Sequence, residues 1–304
     1  MPGCTYDPAQ FSLDDTLASG QAFRWTRLPD GAWRGVAGAQ VLTLRQDGAR
    51  LTWTATGDGD PAALIRDLFL LDVDLAAIQA VLIAADPGLA GPIGRAPGLR
   101  LMRQDPVECL LSFVCSTANN VPRIVAGIAR LSAVLGRPIA TVDGRVYHTF
   151  PTLDALAGAD PAALQAATGL GYRAGRLVAL ARALQAPDAV RPAALRGAPY
   201  ATAHAALTTL PGVGPKVADC VCLFSLDHTE AVPVDTHIWQ VAQHLWGNAG
   251  ETTKPAPGGV SGAGYRRVGD AFRMRYGRWA GYAQNWLFYD HFRGYWGGTS
   301  PLLK

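Results

Sequence analysis

Only three of the 27 basic residues in this 304-residue chain are lysines: Lys216, Lys254 and Lys304. The others are arginines. A guanidinium stays charged, whereas an amine can lose its proton and act as a nucleophile. A chain that uses arginine wherever positive charge suffices draws attention to each lysine it keeps. Lys304 is the last residue and Lys254 lies in a Pro- and Gly-rich segment. Lys216 stands in Leu210-Pro-Gly-Val-Gly-Pro-Lys216-Val-Ala-Asp-Cys220. A helix is expected to end at Leu210, Gly212 and Gly214 to form a tight turn, and a second helix to start near Pro215. Such a turn exposes backbone N–H groups beside a helix N-terminus, where a phosphate or a cation-bridged phosphate can dock. In the first turn of that helix the dipole disfavours an ammonium, and partial burial is expected to lower its pKa further. A free amine there can attack an electrophilic sugar carbon and form a Schiff base. The ordinary alternative is a surface lysine on a phosphate.

Downstream, Ala231-Val-Pro-Val-Asp235-Thr-His237-Ile-Trp places Asp235 just before a helical pattern. Capping that helix is its common role. A capped, partly desolvated carboxylate can also stabilise an oxocarbenium-like sugar or assist proton transfers. A lone histidine is more often structural than functional, but a phosphate contact is open to His237.

The rest of the chain must position these groups. With 49% hydrophobic and 17% charged residues it can bury a large core, and intrinsic disorder is excluded. The net charge of +3 fits a polyanionic partner without requiring one. Cys4, Cys109, Cys115, Cys220 and Cys222 contain no C-x-x-C, so neither a zinc nor an iron–sulfur site is indicated and reduced thiols are expected. No signal peptide or membrane-spanning run is evident.

The first 97 residues carry strand signals. Alternating apolar residues flank Pro29-Asp30-Gly31 and Asp47-Gly48, which read as antiparallel hairpins. One helix, Asp60 to Leu71, follows them. From residue 98 onward the pattern is helical: Pro106 to Thr117, Pro122 to Leu135, Leu153 to Ala157, Pro161 to Thr168, Arg173 to Leu184, Ala201 to Thr209 and, last, Tyr265 to Tyr276. The segment 247–264 reads as a mobile loop. An aromatic-rich stretch runs from Trp279 to Trp296, and no internal repeat is evident. The expected class is α+β: an antiparallel β domain (1–97) and a mostly α-helical region (98–304) with a helix-hairpin-helix at about 201–226.

The segments LPGVGPKVADC and VPVDTHIW resemble the helix-hairpin-helix glycosylase superfamily, specifically the 8-oxoguanine DNA glycosylase/AP lyases. Gly20-Gln-Ala-Phe-Arg-Trp25, Gly169-Leu-Gly-Tyr-Arg-Ala174 and Ala280-Gly-Tyr-Ala-Gln-Asn-Trp-Leu-Phe288 match that family in the same order, from about Gly20 to Asp290. The resemblance implies a bifunctional enzyme on double-stranded DNA containing 8-oxoguanine, with Lys216 as nucleophile and Asp235 as its catalytic carboxylate. The damaged base would be flipped into a pocket. Oxidation turns N7 of guanine into a donor, which the Gly20 carbonyl would accept, and Phe23 belongs to the same segment. Phe288 and Cys220 would sandwich the base, and the Gln284 amide would read its Watson–Crick edge. Arg123 and Arg173 would serve the opposite cytosine, Tyr172 would wedge into the stack, and Asn119, Gly212, Gly214 and His237 would contact DNA. The family's N-N-N run reads Ala118-Asn119-Asn120 here, and Pro122 is a second departure. Cytosine opposite the lesion is therefore expected to be discriminated less strictly, or by the two arginines alone.

No cofactor or catalytic metal is expected to be required, although a structural cation at the hairpin carbonyls fits the motif. A monomer is expected, acting in the cytoplasm on the nucleoid of a bacterium or in the nucleus of a eukaryote. Two other readings stay open: a glycosylase for alkylated bases or oxidised pyrimidines, and a non-catalytic module that only grips DNA. The first of these would leave Lys216 idle or require a cysteine cluster. The last would leave Lys216, Asp235 and a base pocket all without use.

Overall fold

The structure is a computed structural model and describes residues 2–246, 260 and 262–295. The chain opens with strand β1 (Gly3–Thr5), helix α1 (Leu13–Ala18) and strands β2 (Trp25–Arg27), β3 (Trp33–Ala37), β4 (Gln40–Asp47) and β5 (Arg50–Thr56). These strands form one antiparallel sheet in the order β1-β5-β4-β3-β2. The β4–β5 register closes at Asp47 opposite Arg50, across Gly48 at φ +53°, where a left-handed turn favours glycine. Trp33 pairs with Leu44 and both are fully buried, which directs one face of the sheet inward. Helices α2 (Pro61–Leu68), α3 (Leu75–Ala85) and α4 (Ala90–Arg95) complete this part.

The second part comprises α5 (Pro106–Ser116), α6 (Val121–Leu135), strands β6 (Pro138–Val142) and β7 (Arg145–His148), then α7 (Leu153–Ala157), α8 (Pro161–Thr168) and α9 (Arg173–Leu184). It ends with α10 (Tyr200–Thr208), α11 (Pro215–Ser225), α12 (Thr236–Trp246), α13 (Gly262–Tyr276) and α14 (Ala280–Tyr295). Many starts are written in the sequence. Asp60, Asp74, Asp105, Asn120, Thr152 and Asp160 each accept a backbone N–H in the first turn of the helix they precede. One connected apolar core runs from Phe11 and Leu42 through Leu110 and Val114 of α5 to Val221 of α11 and Trp286 of α14. The sheet part and the helical part are thereby bonded by burial, and Trp286 adds a hydrogen bond from its Nε1 to the Ala96 carbonyl at 2.9 Å.

The structure sharpens three sequence expectations. The region after residue 97 is mostly helical, as expected, and also carries a hairpin, β6–β7, around Asp143-Gly144, with Gly144 at φ +74°. The aromatic stretch after Trp279 is itself a helix, α14, through residue 295. In segment 247–264 the last residues already belong to α13; of the remainder only residue 260 is described, so the expected loop lies almost wholly outside the described residues, as do Lys254 and Lys304. Among the described residues no helix is long and apolar enough to cross a membrane.

Candidate active site

The turn between α10 and α11 places Lys216 as the second residue of α11. Gly212, at φ +79°, makes the reversal that other residues resist, while Val213 turns inward and is buried. Gly214 has an ordinary φ of −92°, and a Cβ there would meet nothing within 4 Å. Its value is an open approach to the helix start rather than conformational freedom. No side chain caps α11, so its first amides are left for a partner.

Lys216 is half-buried, and its Nζ lies 5.1 Å from the centre of the Phe113 ring on α5. Cys220, one turn on, is the neighbour that acts most strongly on the amine. Burial pushes the amine's pKa down, but the charges of Cys220 and Asp235 push it up further, and the net direction is upward. The expectation of a depressed pKa is therefore corrected: desolvation is outweighed by acidic neighbours that the spacing alone did not weigh. Burial likewise raises the Cys220 thiol to about 11. Asp235 is half-buried and caps α12, accepting the Ile238 N–H at 2.9 Å on its side chain. It combines the structural role with a position from which its charge reaches Lys216.

Phe113 joins this corner to the Gly20 segment. Phe23 meets its ring edge-on at 5.3 Å, and Phe224 stacks on it at 5.7 Å and 19°. Gly20 has φ +82°, and the space a Cβ would occupy is empty. The neighbouring Gln21 is buried and held on every side: its amide donates to the Arg100 carbonyl and accepts from Met102 N, both at 2.8 Å. Gln104 donates to the Gln21 carbonyl at 2.8 Å, and its own N–H donates to the Phe224 carbonyl at 2.9 Å. The glycine turn and the nucleophile's helix are thus cross-braced by Phe113 and Gln104. Neither stands out in the sequence, since their roles come from contacts spanning many residues.

Gln284 and Phe288 lie on α14. Gln284 is buried with no hydrogen-bond partner for its Oε1 among the described residues, an orphan that invites a ligand. Phe288, half-buried, stacks on Phe292 at 5.5 Å and receives the His237 ring edge-on at 5.8 Å. This helix is pinned to the segment that follows α11: the Gly281 N–H donates to the Thr229 carbonyl at 2.7 Å. A Cβ at Gly281 would fall 2.8 Å from that oxygen, 2.7 Å from the Ala231 carbonyl and into Leu223.

The residues expected to face the opposite strand gather beyond the C-terminus of α5. Arg173 spends its guanidinium on protein carbonyls: Thr117 at 2.6 and 2.8 Å, Ala118 at 2.7 Å and Leu170 at 3.3 Å. Ala118 is held at φ +49°, a left-handed conformation costly for alanine. Asn119 turns its amide back to the Cys115 carbonyl at 3.2 Å, while Arg123 and Tyr172 are exposed.

Comparison with known proteins follows this geometry. The 8-oxoguanine DNA glycosylase N-terminal domain matches residues 5–110, and the HhH-GPD superfamily of base excision DNA repair proteins matches residues 111–257. The N-glycosylase/DNA lyase OGG1 of Arabidopsis thaliana is 36% identical, covering 92% of this chain and 77% of that protein. An 8-oxoguanine glycosylase/lyase of Clostridium acetobutylicum, solved with double-stranded DNA carrying cytosine opposite 8-oxoguanine, has TM-score 0.81 and 30% identity over 92% of this chain and 91% of that one. MBOgg1, solved with a low-affinity DNA ligand, has TM-score 0.84 and 30% identity over 96% and 98%. The fold and the hairpin define a helix-hairpin-helix base excision repair protein. Within that class the chain belongs to the family of 8-oxoguanine N-glycosylase/DNA lyases.

Proposed function

We propose that this chain excises 8-oxoguanine from double-stranded DNA and then cleaves the strand, with Lys216 as nucleophile. The observation that carries the reading is Lys216 itself: it opens the second helix of the hairpin, half-buried against Phe113, whose ring also meets Phe23 of the Gly20 segment, and within the field of Asp235.

In this mechanism the flipped nucleotide presents C1′ to Nζ. The C–N bond to Lys216 forms as the glycosidic bond breaks, and its electron pair leaves with the base. Positive charge on the sugar is countered by the Asp235 carboxylate. Because Lys216 holds its proton in the free protein, the proton must depart as attack occurs, and Asp235 is the acceptor whose charge already reaches it. The nitrogen lone pair then expels O4′ from C1′, the ring oxygen takes up a proton as the sugar opens, and the Schiff base so formed acidifies the neighbouring C2′ hydrogen, whose loss expels the 3′ phosphate. Discrimination lies in the Gly20 carbonyl, which accepts from the N7–H of the oxidised base and repels the N7 lone pair of guanine. Gln284 supplies an unspent amide oxygen to the base edge. In this reading the chain's own groups supply the chemistry, and a cation, if bound at the hairpin, would be held by its backbone carbonyls and would supply positive charge for a phosphate. The site of action is wherever the cell keeps its DNA, the nucleoid or the nucleus.

Borohydride trapping on duplex DNA with one 8-oxoguanine tests the proposal. The natural chain should form a covalent adduct. Lys216→Gln should form none and lose about four orders of magnitude in excision rate, while still binding the duplex. An adduct with Lys216→Gln would sink the mechanism.

A further inference from the structure

A second turn of Gly-apolar-Gly make, Gly169-Leu170-Gly171, joins α8 to α9 and lies beside the catalytic hairpin. Tyr172 projects from it, about half exposed, between two guanidiniums: Arg173 Cζ is 4.5 Å and Arg176 Cζ 4.6 Å from its ring centre. The two arginines differ in what else they hold. Arg173 is committed to the carbonyls of Thr117, Ala118 and Leu170. Arg176 is exposed, and among the described residues no carboxylate or carbonyl takes its guanidinium. Its stem crosses the catalytic hairpin, since a Cβ on Gly212 would meet the Arg176 Cδ at 3.4 Å and Cβ at 3.6 Å. One side chain therefore runs from the hairpin to the exposed tyrosine with its hydrogen-bonding capacity unspent. α9 and α11 both start without a side-chain cap, unlike α5, α6 and α8.

We propose that Arg176 is a DNA phosphate ligand that grips the backbone between the catalytic hairpin and Tyr172. The inference rests on the reading of the chain as a DNA glycosylase. Stacking on Tyr172 and packing on Gly212 pre-position the guanidinium, whose planar fork suits phosphate oxygens. Such a contact positions the duplex without reading its sequence.

The test is equilibrium binding to a duplex with one 8-oxoguanine and to the same duplex with guanine, across a salt series. It is run in the Lys216→Gln background so that the DNA stays intact. Arg176→Gln should weaken binding equally for both duplexes and reduce the slope of log affinity against log salt by about 0.9. The parent's advantage then shrinks about threefold between roughly 50 and 200 mM salt. Arg176→Lys, which keeps the charge but not the fork, should restore most of the slope. An unchanged slope in Arg176→Gln, or a loss confined to the 8-oxoguanine duplex, overturns the assignment. A parent that binds neither duplex overturns the glycosylase reading instead.

Discussion

Around Lys216 the side chains are packed and mutually engaged: Phe23, Phe113 and Phe224 form an aromatic floor, Cys220 lies one turn along the same helix, and Asp235 caps a helix while its charge reaches Nζ. Just past the C-terminus of α5, Ala118 sits exposed in a left-handed conformation, Arg123 points to solvent, and Arg173 is occupied with the carbonyls of Thr117 and Ala118. The first region is organised before DNA arrives. In the second, Arg173, expected to serve the opposite base, is held in intraprotein contacts, while Arg123 is left to solvent. Chemistry on the damaged base is thus pre-built, while inspection of the opposite base is conditional. An enzyme of this make should be exacting about the lesion and lenient about its partner.

The contrast can be broken most severely at Asp235. Asp235→Asn keeps an N-capping side chain, so the fold should survive, but single-turnover excision should fall about 10²- to 10³-fold. A loss below tenfold would remove Asp235 from the chemistry. A second test addresses the proton on Lys216. The amine is protonated below its folded pKa, so activity that needs the free base rises with pH. Cys220→Ala removes one of the charges that raise this pKa. The rate of borohydride trapping at an abasic site should then reach a given fraction of its maximum at lower pH. A shift to higher pH would mean that Cys220 does not hold the protonated amine. The smallest effect belongs to the lenient side. Asn tolerates the left-handed region better than Ala, so Ala118→Asn should stabilise by up to about 1 kcal/mol, raising Tm by roughly 2–4 °C for a chain of this size. The ratio of excision opposite cytosine to that opposite adenine should also rise. An unchanged ratio would show that the missing amide does not set partner choice.

Much of this was legible in advance. The starts of α7, α8 and α9 agree with the sequence signals, two of them because Thr152 and Asp160 occupy cap positions. Lys216 was visible through its rarity and Asp235 through its place before a helix. α14 was not recognised as a helix, since from Ala280 to Leu287 it is buried all round and shows no apolar stripe. The β6–β7 hairpin carries an ordinary Asp143-Gly144 turn signal, obscured by the helical signals around it. Gln104 and Phe113 were invisible as site residues because a glutamine or phenylalanine by type says nothing; their meaning is a carbonyl 83 residues away and a lysine over a ring. The pKa direction of Lys216 was misjudged for the same reason, since it depends on neighbours brought together only by folding.

The glycine at 281 bears on how this enzyme can change. It leaves no room for a methyl group where α14 meets Leu223 of the nucleophile's helix and the carbonyls of the segment after it. The spacing between the helices that carry Gln284 and Lys216 is thus set by a residue that bears no side chain at all. Any larger residue at 281 has to part those two helices, so sequence change there acts on both ends of the site at once.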